Sequence, residues 1–129
     1  MTVPPRAVLD SSAVLALFHD EAGADRVDAV LDGSVMPTVA LAEVLQKAAQ
    51  TGIVDEGLEH DLEALGVSYV VFGVRDARAA AQLWALLPTA GLSLTDRACL
   101  CLAGALGVPA VTADRRWSLA ADIDVVLIR

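Results

Sequence analysis

Arg6-Ala7-Val8-Leu9-Asp10, running straight into Ser11-Ser12-Ala13-Val14-Leu15-Ala16-Leu17-Phe18, decides the architecture. The first five residues form a short apolar run closed by an acid, and the next eight read as a helix. A strand that ends in aspartate and passes at once into a helix opens a βα unit. The same alternation continues along the chain. Helical stretches are expected at Glu21–Leu31, Val39–Gln50, Val54–Leu65, Arg75–Leu87 and Thr95–Leu106, closed by Gly33, Gly52, Gly66, Pro88 and Gly107 respectively. Strand-like runs are expected at Val35–Pro37, Ser68–Phe72, Ala110–Thr112 and Asp124–Ile128. These runs are continuously apolar rather than alternating, as strands buried on both faces are. The expectation is a three-layer α/β/α domain with a central parallel sheet of about five strands, formed as one domain over residues 1–129.

Composition agrees and narrows the classes. The 129 residues are 56% apolar, enough for a sizeable core and too many for a disordered chain. Mean hydropathy is +0.58, yet no apolar run approaches the roughly 18–20 residues of a spanning helix, so no membrane role is expected. The opening Met1-Thr2-Val3-Pro4-Pro5-Arg6 lacks the layout of a signal peptide, and a cytoplasmic protein is expected. Net charge is −8, which argues against nonspecific nucleic-acid binding through Lys and Arg. Cys99 and Cys101, two apart in a helical stretch, point away from each other and read as small buried hydrophobes.

Four acids are expected at one edge of this sheet. Ligands of open parallel sheets bind at the carboxyl ends of the strands, where the helix N-termini also gather. Asp10 ends the first strand, Asp114 follows the strand Ala110–Thr112, Asp96 opens the helix preceding that strand, and Glu43 lies one turn into the helix after the second strand. Each has an ordinary structural role available. Asp10 and Asp114 are good helix caps, Asp96 completes a capping box with Ser93, and Glu43 can pair with Lys47. Together, however, four carboxylates in one cleft repel and raise one another's pKa values unless a cation neutralises them. A hard divalent ion, Mg2+ or Mn2+, prefers such oxygen ligands, and it can activate a water against a phosphodiester.

The segments VLDSSAVLALF (8–18), PTVALAEVL (37–45), LSLTDRACLCLA (92–103) and VTADRRW (111–117) carry a family resemblance. The chain resembles a PIN-domain ribonuclease, and more narrowly a VapC-like toxin of bacterial toxin–antitoxin pairs. The resemblance places the family's catalytic, metal-binding acids on Asp10, Glu43, Asp96 and Asp114, with none missing. It places a small hydroxyl residue beside them, for which Ser11, Ser12 and Thr112 are candidates. It implies Mg2+- or Mn2+-dependent endoribonuclease cleavage leaving a 5′-phosphate and a 3′-hydroxyl. It also implies a VapB-like antitoxin that blocks the cleft, and a homodimer. The antitoxin is expected to present an arginine to the acids and to cover apolar surface on the helices Ser11–Phe18 and Val39–Gln50.

Arg97, Arg115 and Arg116 each stand beside a proposed ligand, where they could hold phosphates or pair with the neighbouring acids. Trp117 suits packing in a short turn better than stacking on a base, and Trp84 is expected in the core or at an interface. His19 and His60 show no metal-ligand spacing. Two other acidic α/β readings fail on their residues. A receiver domain needs a late strand-end Lys, whereas the single Lys is Lys47, and a haloacid-dehalogenase-like phosphatase needs Asp-x-Asp where Asp10 is followed by Ser11-Ser12. The alternative left open is a non-catalytic acidic α/β interaction module whose strand-end acids only cap helices.

Overall fold

A computed structural model describes residues 3–52, 56–120 and 122–129. In chain order the elements are β1 (Val8–Leu9), α1 (Ser11–Phe18), α2 (Ala24–Leu31), β2 (Val35–Pro37), α3 (Thr38–Gln50), α4 (Leu58–Ala64), β3 (Ser68–Val70), α5 (Val74–Leu86), α6 (Leu94–Leu106), β4 (Ala110–Thr112), a 3-10 turn (Arg115–Leu119) and β5 (Val125–Leu127). The five strands form one sheet in the order β3-β2-β1-β4-β5, every pairing parallel. Successive strand residues point to opposite faces, and all residues of β1, β2 and β4 are buried. Both faces of the sheet centre are therefore covered, which makes the expected three layers. The edge strands β3 and β5 are partly exposed.

The core under these layers is aliphatic, built on Val8, Leu9, Val14, Met36, Val44, Leu62 and Leu100, with Trp117 completely buried among them. Trp117 is thus packed in its turn, as its place in the sequence suggested. Trp84 on α5 is 54% exposed and does not belong to the core.

Differences at element ends have local causes. The helix expected from Glu21 begins only at Ala24, because Glu21 N still donates to Ala16 O behind α1 and Gly23 turns the chain in a left-handed conformation (φ +95°). A Cβ on Gly23 would overlap the carbonyl of Ile128, so the turn also needs glycine for space. The strand expected to reach Phe72 ends at Val70, and Phe72 N donates instead to Thr38 Oγ1 at 3.1 Å. The helix expected from Val54 is described from Leu58, residues 53–55 lying outside the described residues.

Candidate functional site

From β1 the chain moves outward to β2 and β3, then returns past β1 to lay down β4 and β5 on the other side. The direction of winding reverses between β1 and β4. Their carboxyl ends therefore border the crevice in which open parallel sheets bind ligands. Asp10 follows β1 directly, Thr112 closes β4, and Asp114 comes two residues later.

Asp10 is 3% exposed, and three donors hold its carboxylate. Oδ1 accepts from Ala13 N at 2.8 Å, the cap of α1, and Ser12 Oγ lies 2.8 Å from Oδ1 and 2.9 Å from Oδ2. Thr112 Oγ1 donates to Oδ2 at 2.6 Å. The two hydroxyls are oriented from behind: Ala113 N donates to Ser12 Oγ at 3.0 Å and Asp114 N to Thr112 Oγ1 at 3.0 Å. Each oxygen receives a peptide proton and so turns its own single proton toward Asp10. Burial pushes the Asp10 pKa up to about 6, against the pull of the hydrogen bonds from Thr112, Ala13 and Ser12, and the nearby charge of Asp96 adds to the rise.

The other three acids reach the rim from three elements. Glu43, in the second turn of α3, accepts a hydrogen bond from Ser11 Oγ and lies 3.9 Å from Lys47 Nζ. Asp96 closes the capping box of α6: its Oδ2 accepts from Ser93 N at 2.8 Å while Asp96 N donates to Ser93 Oγ at 3.1 Å. Asp114 caps the 3-10 turn by accepting from Arg116 N at 2.9 Å, and the Arg116 guanidinium holds its carboxyl below the usual range. The same guanidinium lies 3.9 Å from Asp96 Oδ2. Cys99 lies fully buried beneath this rim. Burial, reinforced by the charges of Asp10, Asp96 and Glu43, drives its thiol pKa well up and keeps it an inert thiol.

Every one of the four acids thus has a structural partner. Among the described residues, no group of three or more His, Cys, Asp or Glu side chains is drawn together closely enough to hold a metal ion. Glu43 Oε2 and Asp96 Oδ1 nevertheless carry no hydrogen bond among the described residues, and the donor set is oxygen throughout, as a hard divalent ion requires.

The three arginines separate. Arg97 turns away from the rim and donates from Nη1 to Ala80 O on α5 at 2.8 Å. Arg115 is exposed, and its side chain has no hydrogen bond or ion pair among the described residues. Arg116 is drawn into the acids. Sequence reasoning missed Gly91, whose carbonyl accepts from Arg116 Nη1 at 2.6 Å, since nothing in a loop glycine announces a backbone acceptor.

Among the described residues, no helix is long and apolar enough to cross a membrane. No curated protein matches the sequence. Solved structures match in fold over nearly the whole chain. A chain of a toxin–antitoxin complex from Klebsiella pneumoniae superposes with a TM-score of 0.77 at 16% identity, covering 95% of this chain and 98% of that one. A chain of the DNA-bound VapBC from Salmonella typhimurium gives 0.74 at 15% identity, covering 97% and 99%. A chain of VapBC-5 from Mycobacterium tuberculosis gives 0.56 at 19% identity, covering 96% and 99%. The family model of the PIN domain matches residues 7–123, nearly the entire fold. The chain belongs to the PIN domain family, with the fold found in VapBC toxin–antitoxin complexes.

Proposed function

We propose that this PIN domain is a divalent-metal-dependent endoribonuclease and acts as the toxin of a toxin–antitoxin pair. The observation that carries the reading is Asp10. Capping α1 needs one acceptor, which asparagine or serine would provide as well. Here a carboxylate is instead buried at the crevice between β1 and β4, against a desolvation cost, with two hydroxyls aimed at it. A charge kept in place at such a cost indicates chemistry that needs the charge.

On this reading Asp10, Glu43, Asp96 and Asp114 hold Mg2+ or Mn2+, with the unpartnered Glu43 Oε2 and Asp96 Oδ1 offering themselves most directly. A divalent ion supplies an acidified water and offsets charge on the phosphodiester. The chain's own part is positional. Ser12 and Thr112 fix the orientation of the Asp10 carboxylate, Ser11 fixes that of Glu43, and Arg115, exposed and without a side-chain partner among the described residues, is available to an RNA phosphate. Arg97 is occupied in joining α6 to α5 and takes no part.

The partner we infer is a VapB-like antitoxin, since the structural relatives are toxin–antitoxin complexes. A groove of about 400 Å³ between α1, α3 and α4, lined by Leu15, Phe18, His19, Ala48 and Leu58, suits an apolar partner segment. A homodimer is supported by the face of α5. Val74, Ala77, Ala81 and Ala85 follow one another at helical spacing, and Val74 is 88% exposed. The place of action we infer is the cytoplasm.

The decisive experiment is cleavage of RNA by the purified chain in Mn2+ and in EDTA, alongside Asp10→Asn. Metal-dependent cleavage lost in the variant supports the reading. A folded parent that cuts no RNA with any divalent ion, or a variant that cuts as well as the parent, leaves the acids as caps of a non-catalytic interaction module.

A further inference from the structure

One side chain already stands between Asp114 and Asp96. Arg116 Nε lies 3.0 and 3.1 Å from the two Asp114 oxygens, Nη2 donates to Asp114 Oδ2, and Nη2 also lies 3.9 Å from Asp96 Oδ2. On its far side Nη1 donates to Gly91 O at 2.6 Å. Gly91 is left-handed (φ +72°), and a Cβ there would come within 3.1 Å of Nη1, so the loop entering α6 is shaped around the guanidinium. Three anchors from three places hold a side chain that is still 53% exposed.

Stability does not account for this arrangement, because an exposed Arg–carboxylate pair contributes little. Its effect on the rim is larger. The guanidinium occupies both oxygens of Asp114 and partly neutralises Asp96. A hard divalent ion needs those same oxygens, and a planar fork and a small ion cannot share them.

We propose that Arg116 is the resident counterion of the Asp114–Asp96 pair and sets the divalent-ion affinity of the site by competing for it. Metal gains Asp114 only as the guanidinium releases it, so the affinity measured is a difference between two cations. Arg116 is then a positioning residue that acts through the acids. The inference rests on the metal-dependent reading above, and the test separates the two.

Calorimetric titration of the metal-free chain with Mn2+ compares the parent with Arg116→Ala and Arg116→Lys, each confirmed as folded by its melting curve. Arg116→Gln replaces Arg116→Ala if the alanine variant does not fold. Removing the fork should tighten Mn2+ binding by about two- to fivefold, the worth of one exposed Arg–carboxylate pair. Arg116→Lys keeps a point charge without the fork and should fall between. Parental or weaker affinity in the alanine or glutamine variant, with Mn2+ still binding, overturns the competition alone. No Mn2+ binding by any of the proteins overturns the metal-dependent reading and this inference with it.

Discussion

Thr112 Oγ1 donates to Asp10 Oδ2 at 2.6 Å, joining two residues 102 positions apart and tying the end of β4 to the end of β1. Thr112 is fully buried, so no water replaces the bond if it is lost. Thr112→Val should therefore destabilise the protein at pH 7 by about 1.5–3 kcal/mol, the range for a hydrogen bond to a charged group. Part of that cost should disappear at pH 5, where Asp10 is largely protonated; the remainder reflects Asp114 N left without its acceptor. Thr112→Ser, which keeps the hydroxyl, should recover most of the loss. Urea unfolding of the three proteins at both pH values measures this directly.

The pH dependence of the metal-free protein has a definite sign. The pKa of Asp10 is about 6 in the folded state against 3.8 when unfolded, so between those values the folded state binds more protons. Stability should rise as pH falls from 7 toward 4, by up to about 3 kcal/mol from this group. Asp114 works in the opposite direction in a lower window. Its folded pKa is depressed by Arg116, so its contribution is present above the unfolded value and is lost as pH drops below about 4. Stability should peak at mildly acidic pH, and Asp10→Asn should remove most of the gain between pH 7 and 5. A parental unfolding midpoint that falls steadily from pH 7 to 5 would contradict the buried, charged Asp10.

Substituting the acids separates folding from chemistry. Asp10→Asn, Asp96→Asn and Asp114→Asn keep an acceptor for Ala13 N, Ser93 N and Arg116 N, so the caps survive. Glu43→Gln loses a pair with Lys47 worth about 0.3–0.5 kcal/mol. All four variants should melt near the parental temperature or, for Asp10→Asn, above it. Mn2+-dependent RNA cleavage should fall by at least about 100-fold in each, given the several kcal/mol that a metal contributes to such a transition state.

Self-association can be probed on α5. Val74→Glu, on an exposed position of the apolar stripe, should leave the fold intact and shift a dimer to monomer in light scattering. An unchanged mass would place the dimer contact elsewhere or remove it.

The approach of the end of β4 to Asp10 was legible in the sequence, because a parallel sheet brings strand ends from distant positions to one rim whatever the loops do. The Ser93–Asp96 capping box and the Glu43–Lys47 pair were legible for the opposite reason, being contacts within a turn or two of helix. What stayed hidden depends on rotamers between elements. Arg97 and Arg116 look alike in sequence, each close to an acid. One leans off α6 onto a carbonyl of α5, while the tight 3-10 turn curls the other back onto Asp114 and across to Gly91. Trp84 was equally opaque, since an apolar helix face reads the same whether the chain's own core or another molecule covers it.

The network around Asp10 also constrains how the protein comes into being. Its carboxylate is synthesised well before the hydroxyl of Thr112, 102 positions further along the chain, and before the peptide groups of Ala113 and Asp114 that orient the cluster. β1 cannot take its place at the middle of the sheet until β4 arrives beside it. A nascent chain therefore carries the first acid without its partners and cannot assemble the rim. Asp10 gains its full set of donors only when β4 docks beside β1, so this end of the sheet closes through a contact between residues 102 positions apart.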